Sequence, residues 1–273
     1  MSLPWNRSLQ LQVGTRSVVG TLRAGWSRVR TLARSTRDIS FANADDTDKA
    51  VTACRDAMDA VLTELQSRPG GSGRSLSVFL AGGRVHFDVA TGDFRDASER
   101  RLQTIAEACV DDVLGHQASR RVVRWQLQPG MQHLLIAAMD ASDVEVVVQV
   151  AAQHRLRLVS LQPAFCLRWN QHVLSRTGGT GVFALVDGAH ADVGYVRKGA
   201  IAAWSSGHCE RGPAHTGQDG AGRGALDERT DRLLASLGEN ADAVPAFAVS
   251  VLGDGDLAVA PRWVVSRDPE EPA

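Results

Sequence analysis

Gly181–Trp204, GVFALVDGAHADVGYVRKGAIAAW, is the stretch whose reading decides the fold of this chain. Val182–Val186 is a continuous apolar run, which is what a strand covered on both faces requires. Asp187-Gly188 stops it, Asp192–Arg197 resumes with alternation, and Lys198-Gly199 leads into Ala200–Trp204. Two runs separated by a two-residue turn containing Gly are a hairpin signal, so the stretch predicts three short antiparallel strands with a carboxylate at the first bend.

Working backward, Ser142 and Asp143 offer an N-cap before the periodic residues Val144, Val147, Val148 and Ala151, and that helix ends near His154. Leu156–Leu161 reads as a strand, and Pro163 stands at a favourable first position of a helix running to about Leu174. Earlier still, Ser8–Val13, Ser17–Arg23 and Val29–Ser35 form a meander. Asp46–Leu65 is a helix with apolar residues recurring at three, four and seven, closed by Pro69-Gly70-Gly71-Ser72-Gly73. Strands at Leu76–Ala81 and Val85–Val89, a helix at Ala97–Leu114, and strands at Val122–Leu127 and Leu134–Met139 follow, and Val85–Val89 is an edge able to accept a partner strand. Forward of the opening stretch, residues 205–224 (SSGHCERGPAHTGQDGAGRG) are Gly-rich and polar and predict a loop. A short helix Leu226–Leu237, strands Ala246–Leu252 and Leu257–Val265 about the turn Gly253-Asp254-Gly255-Asp256, and a loose tail 266–273 complete the chain.

The 273 residues are 44% hydrophobic and 22% charged with net charge −1, a soluble globular composition that excludes an overall electrostatic attraction to nucleic acid or membrane. The arginines are unevenly placed: Arg7, Arg16, Arg23, Arg28, Arg30, Arg34 and Arg37 precede the first acidic residue, Asp38, and read as solvated strand faces. Cys54, Cys109, Cys166 and Cys209 form no paired-cysteine spacing, so neither a disulfide framework nor a structural zinc site is expected. His208, Cys209, Glu210 and His215 match no recognised ligand spacing, and no metal is expected. The start lacks a secretory signal and the longest apolar run, Leu134–Met139, falls far short of a bilayer span, so a cytoplasmic protein without direct membrane insertion is expected. No GxxxxGK[ST], GxSxG or HExxH motif is present, and no catalytic residue is named.

The order of elements resembles the actin-like ATPase superfamily. It is carried by LLIAAMDASDVEVVVQVAAQHRLRLVSLQPAFCLRWNQ (134–171) followed by GVFALVDGAHADVGYVRKGAIAAWSS (181–206), with SLQLQVGTRSVVGTLR (8–23) in the place of the first phosphate loop and its meander. Within that superfamily the chain looks like the PilM-like assembly proteins of type IV pili and the cytoplasmic region of GspL-like proteins of type II secretion. The resemblance implies an α/β, actin-like (RNase H-like) ATPase fold with two related subdomains and a small inserted αβ subdomain. The expected division is 1–82 for the first RNase H-like subdomain, 83–132 for the insertion, and 133–265 for the second part of the core. It places nucleotide contacts at Gly14, Asp187, Gly188, Gly253 and Gly255, although from the residues alone Gly14 and Asp187 read first as ordinary turn residues.

The family's ATPases place an Asp before the first phosphate-loop glycine, and Gln12 stands there; an amide does not hold a hydrated Mg²⁺ as a carboxylate does. Asp187-Gly188 lacks the middle residue of Asp-x-Gly, and Asp254 sets a carboxylate where a phosphate would approach. The resemblance therefore implies a scaffold or adaptor with a degenerate ATP/Mg site, binding a PilN-like or GspL-C-terminal-like membrane protein. The alternative within the superfamily is an active ATPase or sugar-kinase-like phosphotransferase.

Overall fold

A computed structural model describes residues 7–25, 30–39, 47–68, 73–115, 120–173, 179–187, 190–208, 225–250 and 263–266. In chain order the elements begin β1 (Arg7–Val13), β2 (Ser17–Ala24), β3 (Arg30–Asp38), α1 (Thr47–Ser67), β4 (Ser75–Leu80), β5 (Val85–Thr91) and α2 (Glu99–Leu114). They continue β6 (Arg121–Leu127), β7 (His133–Asp140), α3 (Ala141–Gln153), β8 (Arg157–Pro163) and α4 (Ala164–Val173). Then come β9 (Gly181–Asp187), β10 (His190–Arg197), β11 (Ala200–His208), α5 (Ala225–Ser236), β12 (Ala246–Ser250) and β13 (Trp263–Ser266). The chain divides into two units, one of Met1–Arg84 with Asp140–Ala164, the other of Val85–Met139 with Phe165–Ala273.

The first unit is one five-stranded sheet in the order β3-β2-β1-β4-β8. β1, β2 and β3 are antiparallel neighbours, while β4 joins β1 and β8 joins β4 in parallel. Leu9, Leu11, Val18 and Leu22 are fully buried on the face that α1 covers with Met58, Val61, Leu62 and Leu65. Gly20 is the point of closest approach, since a Cβ there would meet Val61 and come within 2.7 Å of Leu65 Cδ1. α3 lies beside α1, fastened by the His154 ring, whose nitrogens meet Asp59 Oδ1 at 2.9 Å and Gln66 Oε1 at 2.8 Å.

The second unit contains another five-stranded sheet, in the order β11-β10-β9-β12-β13. Again the first three strands of the set are antiparallel neighbours and the next two add in parallel, so the strand order of the first unit is repeated. β9, hydrogen-bonded on both edges, is the apolar run 182–186 of the sequence. One face of this sheet presents Val182, Ala184, Ala191, Val193 and Tyr195 to Leu226, Leu233 and Leu234 of α5. On the opposite face Phe183 meets Phe165 and Trp169 of α4 edge-on, with ring centres 5.2 and 5.7 Å apart, and Trp204 meets Phe165 at 4.3 Å. Such edge-to-face pairs add to the area that the rings bury. Lys198 and Gly199, with φ of 53° and 78°, are both left-handed, the geometry of a hairpin turn that matches strand twist.

The same unit holds a three-stranded sheet, β5-β7-β6, whose apolar face packs Leu134, Ile136 and Val123 on Leu102, Ala106 and Val110 of α2. Ser98 caps α2 by accepting from the Arg101 N–H. This sheet differs from the division read in the sequence: β7, expected to begin the second part of the core, pairs with β5 and lies at the centre of the three-stranded sheet. α3 and β8 then return to the first unit, where β8 is hydrogen-bonded to β4. The strand–helix–strand pattern is the same whichever sheet receives it, and only the pairing decides. β5 stands at the edge of this sheet, as expected, with only Val85 and Phe87 buried and the Phe87 ring 4.4 Å from that of Trp204.

Gly20→Ala is expected to lower the stability of the protein by about 2 kcal/mol, because Val61 and Leu65 must move to admit a methyl group. Urea denaturation should show a lower midpoint at unchanged slope.

Candidate functional site

The two sheets place an equivalent turn at the end of each central strand. In the first unit β1 ends at Val13, which pairs with Val18, and Gly14 opens the turn. In the second, β9 ends at Asp187, which pairs with His190 across two intervening residues. Gln12 lies on the face of its sheet turned away from α1, and Asp187 on the face turned away from α5, because each strand alternates from residues that its helix covers. Gly188, Gly253, Asp254 and Gly255 lie outside the described residues.

At the first turn the Gly14 N–H donates to the Ser17 carbonyl at 2.9 Å. Its carbonyl accepts from Arg84 Nε at 3.1 Å, and Arg84 Nη1 donates to Asp143 Oδ1 at 3.0 Å. Both side chains of this ion pair are about seven-eighths buried, at 14% and 13% exposure. Burial pushes the Asp143 carboxyl above its ordinary range, against the opposing pull of Arg84. Cys54 lies in the same field, its thiol raised by burial and drawn down by Arg84. Asp143 is thus a partner of Arg84 and not the N-cap expected; Asp140 takes the cap position of α3 without a side-chain capping bond. Arg84 was not legible as a site residue, and a single arginine following Gly82-Gly83 carries no motif.

The strand residues flanking the second turn are acidic and buried. Asp187 and Asp192 are 2% and 3% exposed, and His190 Nε2 meets Asp192 Oδ1 at 3.3 Å. Burial raises the Asp192 carboxyl, His190 pulls it down, and the neighbouring Asp187 charge raises it further. Arg229 of α5 ties down the end of β11, donating to the Ser206 carbonyl at 2.6 Å and to the His208 carbonyl at 3.3 Å. Among the described residues no group of three or more His, Cys, Asp or Glu side chains is placed to hold a metal ion. Of the sequence-expected metal set only His208 is described; Cys209, Glu210 and His215 lie outside.

Mg–ATP is the ligand this arrangement has to be tested against, since two sheets of this order, each with a turn at the end of its central strand, define an actin-like ATPase fold. Three solved structures share it. The cytoplasmic domain of EpsL, an inner-membrane component of the type II secretion system of Vibrio cholerae, aligns with TM-score 0.53 and 11% identity, over 96% of this chain and 89% of that one. The PilM–PilN type IV pilus biogenesis complex aligns with TM-score 0.59 and 11% identity, over 90% and 81%. A Bacteroides thetaiotaomicron protein with the actin-like ATPase fold and unknown function aligns with TM-score 0.52 and 12% identity, over 91% and 84%. No protein-family model and no curated protein sequence matches the chain. The fold is therefore the one expected from the sequence.

At the first turn, Gly14 and Gln12 do not offer the groups by which a phosphate and its metal would be held. A phosphate loop needs unspent N–H donors and a metal-facing carboxylate. Here the Gly14 N–H is bonded within the hairpin, its carbonyl is bonded by Arg84, and position 12 is an amide. No catalytic step is assigned through it.

Arg84→Met or Asp143→Leu alone is expected to cost about 3 kcal/mol, because each leaves its partner charged and buried, whereas the double replacement should recover most of that loss. Urea denaturation of the three variants checks it. For Asp192, whose folded value lies above its ordinary 3.8, the contribution to stability is present below that value and lost as pH rises through the folded one. Asp192→Asn carries no such loss, so its stability relative to the parent should rise from about pH 4 towards neutrality. A stability difference that is constant with pH contradicts the assignment.

Proposed function

We propose that the protein is a non-catalytic scaffold or adaptor on the cytoplasmic side of the inner-membrane platform of a type IV pilus or type II secretion system. Its partner is a PilN-like or GspL-C-terminal-like membrane protein, through which it is held at the membrane. The reading is carried by the Gly14 turn, whose donor and carbonyl are both committed within the protein beside Gln12. Likeness of fold to the EpsL cytoplasmic domain and to the PilM–PilN complex supplies the class of assembly. No helix among the described residues is long and apolar enough to cross a membrane, which accords with attachment through a partner.

On this reading ATP and Mg²⁺ are not cofactors, and Asp187 is the remnant of a phosphate motif in a domain kept for its shape and its partners. Purified protein is expected to show no thermal shift with Mg–ATP and no ATPase activity above background. A saturable shift abolished by Asp187→Ala would instead support the phosphotransfer alternative. Affinity capture from detergent-solubilised membranes of the native cell is expected to recover a pilus or secretion platform protein. Recovery of none overturns the scaffold reading.

A further inference from the structure

One end of the first unit's sheet is lined with arginines. β4 and β8 run parallel to β1, and β3, two antiparallel steps from β1, runs the same way, so these four strands begin at one end. Each begins with an arginine. Arg7 opens β1, Arg30 opens β3, Arg157 opens β8, and Arg74 stands immediately before β4, its carbonyl accepting from the Arg157 N–H at 2.8 Å. α3 closes at this end too, and Arg155 follows it. Arg30, Arg74, Arg155 and Arg157 are exposed, and none of their side chains is hydrogen-bonded or ion-paired among the described residues. Arg7 and Arg23 are otherwise engaged, and Arg68 is paired with Glu64. Countercharge is scarce here, since residues 1–37, 65–87 and 146–186 contain no Asp or Glu. Of the α1 carboxylates, Glu64 is held by Ser35, Arg37 and Arg68, and Asp59 meets His154. Asp38 and Asp143 stand at the opposite end, where β3 closes and the Gly14 turn lies. A cation after a helix complements the carbonyl end of that helix, which accounts for Arg155. It does not account for Arg30, Arg74 and Arg157, which stand at strand starts.

We propose that this end of the first sheet rests on an anionic lipid surface, with the strands upright on it. The choice of a lipid over another polyanion rests on the scaffold reading, which brings the chain to the membrane, and on the spread of the charge. Arg30 on β3 and Arg157 on β8 are four strand spacings apart, about 19 Å, which suits a plane of headgroups and exceeds the reach of one small anion. A plane laid across strand ends meets arginines from either face of the sheet, because their long side chains carry the charge outward past the backbone. The net charge of −1 does not oppose the contact, since screening confines the attraction to about 10 Å and only the near end is felt. Each arginine at an anionic leaflet adds about fivefold in affinity. Four of them make a weak contact, sufficient to orient a protein that a partner already holds there.

The probe is co-sedimentation of the full chain, without any partner, with vesicles of phosphatidylglycerol and phosphatidylcholine at millimolar lipid and low salt. Binding is expected to the phosphatidylglycerol-rich vesicles, and it should vanish on pure phosphatidylcholine and fall steeply as salt is raised. Arg74→Gln/Arg157→Gln should weaken it about thirtyfold, whereas Arg100→Gln/Arg101→Gln on α2, equally exposed, should leave it unchanged. Arg30→Gln/Arg155→Gln serves as a second pair, with circular dichroism confirming that every variant folds. Absence of binding to phosphatidylglycerol, undiminished binding by both arginine pairs, displacement by millimolar glycerol phosphate, or preferential capture of polyglutamate would each overturn the proposal. None of these outcomes alters the recovery of a platform protein from membranes, so the scaffold reading is judged separately.

Discussion

A central strand bonded on both edges and packed on both faces can place a charge only at its end. β9 obeys this constraint along its whole length, apolar from Val182 to Val186 and acidic at Asp187. Around it, α5 covers one face through small and branched residues, α4 covers the other through rings set edge-on, and the ends of β9 and β10 hold the carboxylates. β1 occupies the same place in the first sheet under a looser form of the rule. Its α1 face is apolar, but the opposite face carries Gln10, bonded by Arg23 at 2.8 Å, and Gln12. The two sheets share a strand order while differing in how much polarity the central strand bears.

That difference bears on the chemistry of the two turns. Where the actin-like fold turns nucleotides over, phosphate oxygens need donors and a metal needs carboxylates. Carboxylates flank the second turn, and at the first the Gly14 N–H and carbonyl are bonded within the protein. Arg84 fills the role of counter-charge there, and the burial of its partner Asp143 means that the pair holds the turn in shape at an energetic cost to both ions. A turn organised in this way is specified by its own side chains and needs no ligand to order it.

Much of the fold was legible because its signals are local. The stretch 181–204 declares its three strands by apolar run, Gly-bearing bend and two-residue turn, and α1 declares itself by the spacing of Met58, Val61, Leu62 and Leu65. What failed to show was pairing between distant segments. β7 and β8 both read as strands on either side of α3, yet one closes the three-stranded sheet and the other returns to β4. The same holds for the site. Gly14 and Asp187 were visible as turn residues, whereas the Arg84–Asp143 bond joins residues 59 positions apart, and Asp143 offered the nearer reading of a helix cap.

The cysteines lend themselves to one further use. Cys54 is a buried residue of α1 in the first unit, and Cys166 lies in α4 of the second, its thiol pushed up to about 11 by burial. Neither is a reactive thiolate while its unit is closed, since a thiol must shed its proton before it can attack. With Cys109 and Cys209 of the second unit replaced, the two remaining cysteines become internal chemical clocks: the rates at which Cys54 and Cys166 are alkylated measure how often each half opens, separately from the other.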